Sequence, residues 1–162
     1  MATISRNLND ILPAAQSAGY AVGSFSARLP DNIRPILRAG ERLRSPLIVQ
    51  LAHVEMEWGE FTPEEFAAVF YEAAAELKVS VPVVLHLDHT RELAMIQRAI
   101  QAGFQSVMID ASAQLLEENI RRTQEVVAYA HARGVSVEAE LGRIGSADGL
   151  ESGRDDELYT SP

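Results

Sequence analysis

The run Val83-Val84-Leu85-His86-Leu87-Asp88-His89-Thr90 opens as an apolar strand and then places three ionisable side chains among its last five residues. Burying imidazole and carboxylate groups at the end of such a run is costly unless they meet a metal, a partner or a substrate. The same design returns twice. Phe104-Gln105-Ser106-Val107-Met108-Ile109-Asp110 ends on a carboxylate 21 positions after His89, and Val135-Ser136-Val137-Glu138-Ala139-Glu140-Leu141-Gly142 sets Glu140 30 positions after Asp110. An imidazole nitrogen with two carboxylate oxygens is an ordinary ligand set for zinc or a related divalent ion. The chain has no cysteine, so His, Asp and Glu are the strong ligands on offer. A plainer reading of the first motif stands beside this one, with Asp88 or Thr90 capping the next helix.

Side chains alternate faces along a strand, so parity decides which groups can meet. His86 and Asp88 share a face, as do Ser106, Met108 and Asp110, and as do Ser136, Glu138 and Glu140. The opposite parity of the last two runs is Val107, Ile109, Val137, Ala139 and Leu141. One face is thus suited to covering helices and the other to a polar site. Three strands that each deliver acid or imidazole at their C-terminal ends describe the rim of a β/α barrel, where such folds keep their chemistry.

The elements needed to hold that rim follow the same alternation. Strands are expected over 20–26, 46–52, 82–88, 104–110 and 135–141, and the run Leu47-Ile48-Val49 suggests burial on both faces. Helices are expected over 31–44, with Asp31 as cap, from 63 to about 78, over 91–102, and over 115–133, stopped by Gly134. Thr62-Pro63-Glu64-Glu65 is a clear helix start, joining a cap, a proline in the first turn and acids at the positive end of the helix dipole. Residues 142–153 read as a loop, and the cluster Asp148, Glu151, Asp155 and Asp156, in it and just beyond it, as solvated acids. Strand–helix–strand alternation with short connections implies a parallel sheet with right-handed crossovers. Other candidates are weaker. His53 reads as a rim or loop residue, His131 as a residue near a helix C-terminus, and Glu138 as one half of an internal salt bridge, while Trp58 and Phe61, in the loop after strand two, either pack over the site or cover the second helix.

Bulk properties set the remaining limits. The 162 residues are 47% hydrophobic, which suits one domain with an ordinary core. A formal charge of −9 argues against nucleic acid as a partner, and it requires that any affinity for a phosphate be local. No run approaches the ~18 apolar residues of a membrane helix, and no signal-peptide pattern opens the chain. The expectation is a cytoplasmic protein with neither membrane nor nucleic-acid partner.

The motifs V-V-L-H-L-D-H-T, S-V-M-I-D-A-S and S-V-E-A-E-L-G, with G-Y-A-V at 19–22 and L-Y-T-S-P at 158–162, resemble the class II, zinc-dependent ketose-bisphosphate aldolases, in particular the tagatose-bisphosphate type. The resemblance implies a (β/α)₈ TIM-type barrel of which this chain offers about five βα units as a single N-terminal portion. It implies cleavage of a ketose bisphosphate, such as fructose or tagatose 1,6-bisphosphate, into dihydroxyacetone phosphate and glyceraldehyde 3-phosphate. Carried over motif by motif, Asp88 resembles the catalytic proton donor, His89 a ligand of the catalytic zinc, and Asp110 and Glu140 ligands of a second divalent position. Such an aldolase needs no Schiff-base lysine, and Lys78 is the chain's single lysine, at a helix end.

Two departures from the family pattern matter. Ser26 stands where the family shows asparagine, and Gly145-Ser146-Ala147-Asp148-Gly149 stands where it shows G-G-x-E-D, the source of a proton-abstracting glutamate. Two further zinc histidines and the phosphate loops of the family lie beyond strand five. The expectation is therefore a class II aldolase incomplete as this chain, either self-associating as a homo-oligomer or pairing with a complementary C-terminal half. The alternative is a catalytically inactive accessory subunit that binds metal or sugar phosphate.

Overall fold

Valine- and leucine-rich runs separated by amphipathic helices build a single parallel sheet, seen in a computed structural model that describes residues 4, 5 and 7–142. The strands are β1 (Gly23–Ser26), β2 (Leu47–Ala52), β3 (Val83–Thr90), β4 (Ser106–Ile109) and β5 (Ser136–Ala139), hydrogen-bonded in the order β1-β2-β3-β4-β5. The helices are α1 (Leu12–Ala18), α2 (Ile33–Leu43), α3 (His53–Gly59), α4 (Pro63–Glu76), α5 (Leu93–Ala102) and α6 (Leu116–His131). Each strand pairs with its successor in sequence, which is the pattern of consecutive units of a β/α barrel.

One side of the sheet carries the core. Leu47, Val49 and Leu51 of β2, Val83, Leu85 and Leu87 of β3, and Val107 and Ile109 of β4 are buried against Leu37 of α2, Phe66 and Phe70 of α4, Ile96 of α5 and Val126 of α6. Each such side chain contributes roughly 1.5–3 kcal/mol by leaving water. On the other side a smaller apolar cluster fills only the N-terminal ends of the strands, where Leu8 and Ile11 pack on Ile48 and Val84. The N-terminal segment is tied across that end. Ser5 N donates to Val83 O at 2.9 Å, Asn7 Nδ2 to Gly134 O at 2.8 Å, and Leu8 N to Ser136 Oγ at 3.2 Å.

Several boundaries differ from the sequence reading. β1 begins at Gly23 rather than Tyr20, and a 3₁₀ turn over Pro30–Asn32, without a side-chain cap from Asp31, precedes α2. The stretch after β2 is not a loop but helix α3, which carries Trp58 and leaves Phe61 just beyond it. Its start lacks a Ser, Thr, Asp or Asn cap. Glu55 instead reaches back to accept the Ala52 N–H at 3.1 Å. The start of α4 has both halves of a capping box, with Thr62 Oγ1 accepting from Glu65 N and the Glu65 carboxylate accepting from Thr62 N. Gly134 takes a φ of 73° after α6, where a side chain would be strained. The expected loop over 142–153 with its acids lies outside the described residues, save for Gly142.

A candidate metal and proton-transfer site

The face opposite the helices turns polar above its apolar base, and it does so in register. Ser26 pairs with Gln50, Gln50 with His86, His86 with Ser106 and Ser106 with Ser136, so one row is polar across all five strands. His86 is buried in that row, its Nδ1 2.8 Å from Ser106 Oγ and its Nε2 3.5 Å from Glu138 Oε2. Burial, with the neighbouring His89 adding to it, lowers its pKa to about 4. His86 is therefore neutral near pH 7, and its contact with Glu138 is not the full salt bridge that the sequence suggested for that acid.

Above the row, β3 departs from regular pairing. Leu87 faces Val107, but Thr90 faces Ile109, so three steps along β3 match two along β4. The extra residue is a β-bulge, and within it His89 adopts φ 41°, in the left-handed region. In a regular strand the consecutive residues Asp88 and His89 point to opposite faces. Here the bulge turns the His89 imidazole back over the strand ends, where Nδ1 lies 3.5 Å from Asp110 Oδ2 and 3.7 Å from Glu140 Oε2. One ligand atom from each of these three residues falls within 4.8 Å of the others. Atoms that share one ion at ~2.0–2.2 Å must lie within about 4.4 Å of one another, close to the spacing seen here.

The electrostatics differ from residue to residue. Burial alone would raise the Asp110 carboxyl. Ser112 outweighs it, donating from Oγ at 2.6 Å and N at 3.2 Å, with His89 and the Arg91 guanidinium also helping to hold the pKa below its ordinary value. Asp110 is thus a settled anion, as a metal ligand must be. Asp88 is pushed the other way, raised by burial with the Asp110 charge adding to it and the adjacent His89 opposing. Its Oδ2 accepts a hydrogen bond from Gln50 Nε2 at 2.8 Å. The same nitrogen lies 3.2 Å from Ser26 Oγ, and Ser24 Oγ donates to the other end of the amide. A carboxyl group that is half-buried, raised and held in place suits a proton donor and acceptor. Glu138 is raised as well, by burial first and then by the charges of Asp88 and Glu140.

The residues singled out in the sequence fall as follows. His89, Asp110 and Glu140 converge, with Asp88 beside them on β3. Neither Asp88 nor Thr90 caps a helix, since α5 starts after Glu92 without a side-chain cap and Thr90 Oγ1 bonds the Asp88 carbonyl at 3.3 Å. His53 opens α3, 4.0 Å from Glu57, and His131 ends α6, both apart from the cluster. The sequence reading missed Gln50 and Asn119. Asn119 Nδ2 of α6 donates to the Glu140 carbonyl at 2.9 Å and so fixes the backbone that carries this carboxylate. The signal for each was a lone amide in hostile surroundings, one inside an apolar strand and the other inside a helix.

Known proteins resemble this chain in sequence and fold. The sequence matches the profile of class II fructose-bisphosphate aldolases over residues 6–162. It is 42% identical over 141 residues to a fructose-bisphosphate aldolase of Giardia intestinalis, covering 87% of this chain and 43% of that protein. It is 41% identical over 155 residues to a 6-phospho-5-dehydro-2-deoxy-D-gluconate aldolase of Halalkalibacterium halodurans, covering 94% of this chain and 52% of that one. The crystal structure of the YdjI aldolase from Escherichia coli K12 superimposes with a TM-score of 0.78 at 32% identity, over 88% of this chain and 54% of that one. The chain spans about half the length of the relatives it matches.

Proposed function

The chain belongs to the class II fructose-bisphosphate aldolase family, and from that premise we propose that it forms the metal-holding, proton-donating part of an enzyme that cleaves or joins a ketose bisphosphate such as fructose or tagatose 1,6-bisphosphate. The products of cleavage are dihydroxyacetone phosphate and glyceraldehyde 3-phosphate. The observation that carries the reading is the β3 bulge, which sets Asp88 beside a His89–Asp110–Glu140 cluster. One imidazole nitrogen and two carboxylates fit zinc by type and number, with a second divalent position available to Asp110 and Glu140. Held by His89, Asp110 and Glu140, zinc would supply Lewis-acid chemistry toward the ketose oxygens.

The chain's own residues do the rest. In cleavage Asp88 accepts the proton of the hydroxyl that becomes the aldehyde oxygen; in condensation it returns that proton as the carbon–carbon bond forms. Burial favours the proton-holding form of this carboxyl more than in an exposed aspartate, and Gln50 keeps it aimed. Arg91 and Ser112 hold Asp110 ionised for the metal. β1 and β5 end the sheet among the described residues, and a second copy or a complementary set of βα units is the partner this reading implies. No described helix is long and apolar enough to cross a membrane, and the reading places the protein in the cytoplasm with its sugar-phosphate substrates.

Zinc titration of the purified chain by calorimetry, against His89→Ala and Asp110→Asn, tests the proposal. The variants are expected to bind zinc at least about 10–100-fold more weakly, and unchanged affinity would overturn it. The isolated chain is expected to bind zinc without turning over ketose bisphosphates at a full enzyme's rate. A mispositioned acid–base group alone costs ~10²–10⁴-fold.

A further inference from the structure

The rim that would receive a sugar phosphate is acidic, with Asp88, Asp110, Glu138 and Glu140 gathered on it and a formal charge of −9 on the whole chain. An anionic substrate needs a local cation to be held there. Two arginines directly follow strand ends on this side. Arg91, one residue past β3, is drawn to Asp110 at 3.5 Å. Arg28, two residues past β1, opens instead onto a hollow of about 340 Å³ lined by Arg28, Leu29, Asn32, Glu55, Trp58 and Gly59.

The hollow is built rather than incidental. Arg28 Nε lies 3.3 Å from Glu55 Oε1, and the Glu55 side chain is only 10% exposed. Its other oxygen is tied to the Ala52 N–H, so the acid that aims the guanidinium is itself fixed to the start of α3. The guanidinium stands 5.7 Å from the ring centroid of Trp58. This arrangement engages Nε alone. The two terminal nitrogens of Arg28 and the side-chain amide of Asn32 have no partner among the described residues. Trp58 is 67% exposed and Leu29 52%, an apolar wall beside an unfilled donor fork. A planar fork of this kind matches phosphate or carboxylate oxygens, while an aromatic face suits the C–H edges of a carbon chain.

We propose that this hollow binds the anionic far end of the aldehyde half of the substrate, with Arg28 as the specificity-determining residue and Trp58 as the wall. The inference rests on the aldolase reading above and extends it to the choice of substrate. β1 lies two strands from β3, roughly 10 Å at ~4.8 Å per strand. With the aldehyde oxygen at Asp88, a terminal phosphate or carboxylate a few bonds further along the chain points toward Arg28. The hydrogen bonds from Gln50 to both Asp88 and Ser26 mark the same direction across the sheet.

Trp58 is the single tryptophan of the chain, so its fluorescence reads the hollow directly. The full chain is titrated in the presence of a chelator with glyceraldehyde 3-phosphate, with glycerate and with uncharged glyceraldehyde. The expected result is a saturable change for a phosphate- or carboxylate-bearing ligand and none for glyceraldehyde. Whichever anion binds more tightly identifies the terminal group. Arg28→Gln is expected to weaken that binding at least about tenfold, as loss of a charge-assisted pair does, while His131→Ala, at the end of α6, leaves it unchanged. The inference is overturned if no anion gives a saturable change, if glyceraldehyde binds equally well, or if Arg28→Gln retains the affinity. Because the metal is chelated throughout, such a failure leaves the zinc-binding result intact, and failure of zinc binding leaves this one intact.

Discussion

The two faces of the sheet are made from the same strands and hold together by different means. On the helix side, Val83, Leu85 and Leu87 of β3 are fully buried and meet rings and aliphatic chains, with Phe66 stacked 5.8 Å from Phe61 and 6.4 Å from Phe104. On the other side, His86, Asp88, Ser106, Asp110 and Glu138 are joined by hydrogen bonds and charge contacts that leave ligand atoms facing outward. A packed face loses stability with every removed methylene. A face of like-charged carboxylates gains little by staying as it is. Stability and chemistry are thus divided by strand parity, and substitutions should separate them.

The sharpest contrast is Phe66→Ala against Glu138→Gln. The first empties a fully buried site and is expected to cost ~3–5 kcal/mol in urea denaturation of the metal-free chain. The second removes an acid already pushed toward its protonated form by burial and by Asp88 and Glu140, and it is expected to fall within about 0.5 kcal/mol of the parent. Equal costs would break the division.

His86 gives the next largest effect. It is neutral in both folded and unfolded chains at pH 7 and costs nothing there. Below the ordinary histidine value of 6.5 the unfolded chain binds a proton that the folded chain refuses until about pH 4. Stability therefore falls as pH drops through that window, by an amount of the order of 3 kcal/mol. His86→Asn should flatten the slope between pH 6.5 and 4. A slope unchanged in the variant would assign the loss to other groups.

Asn119 is the smallest and most discriminating test, because it sits on the helix layer yet serves the polar rim. Asn119→Ala is expected to cost ~1 kcal/mol of stability and to weaken zinc binding roughly tenfold through loss of the Glu140 backbone anchor. A stability loss without any change in zinc affinity would place Asn119 with the core alone.

The strands, their order and the polar parity of β4 and β5 were legible because residues of one face recur every second position and short connections leave few topologies. Asp110 and Glu140 could be named from that pattern. His89 could not be placed by it, since regular alternation sends His89 to the helix side. Only the bulge reverses it, and an extra residue in a ladder leaves no periodic trace. Helix α3 was hidden for a related reason, its start stabilised by Glu55 rather than by a capping residue ahead of it. Gln50 and Asn119 act through single hydrogen bonds, which composition does not register.

The tie across the base of the sheet has a consequence for how the chain comes together. Neighbouring strands are neighbours in sequence, so β1 to β4 can assemble step by step as they are synthesised. The segment ahead of β1 cannot be fully tied down then. Asn7 and Leu8 find their partners 127 and 128 positions later, in Gly134 and Ser136. Leu8 and Ile11 have Ile48 and Val84 to pack on once β3 exists, but the hydrogen bonds that tie Asn7 and Leu8 across the sheet wait for β5. The segment ahead of β1 is thus fully secured only at the end, and its closure reports that the fifth strand has arrived.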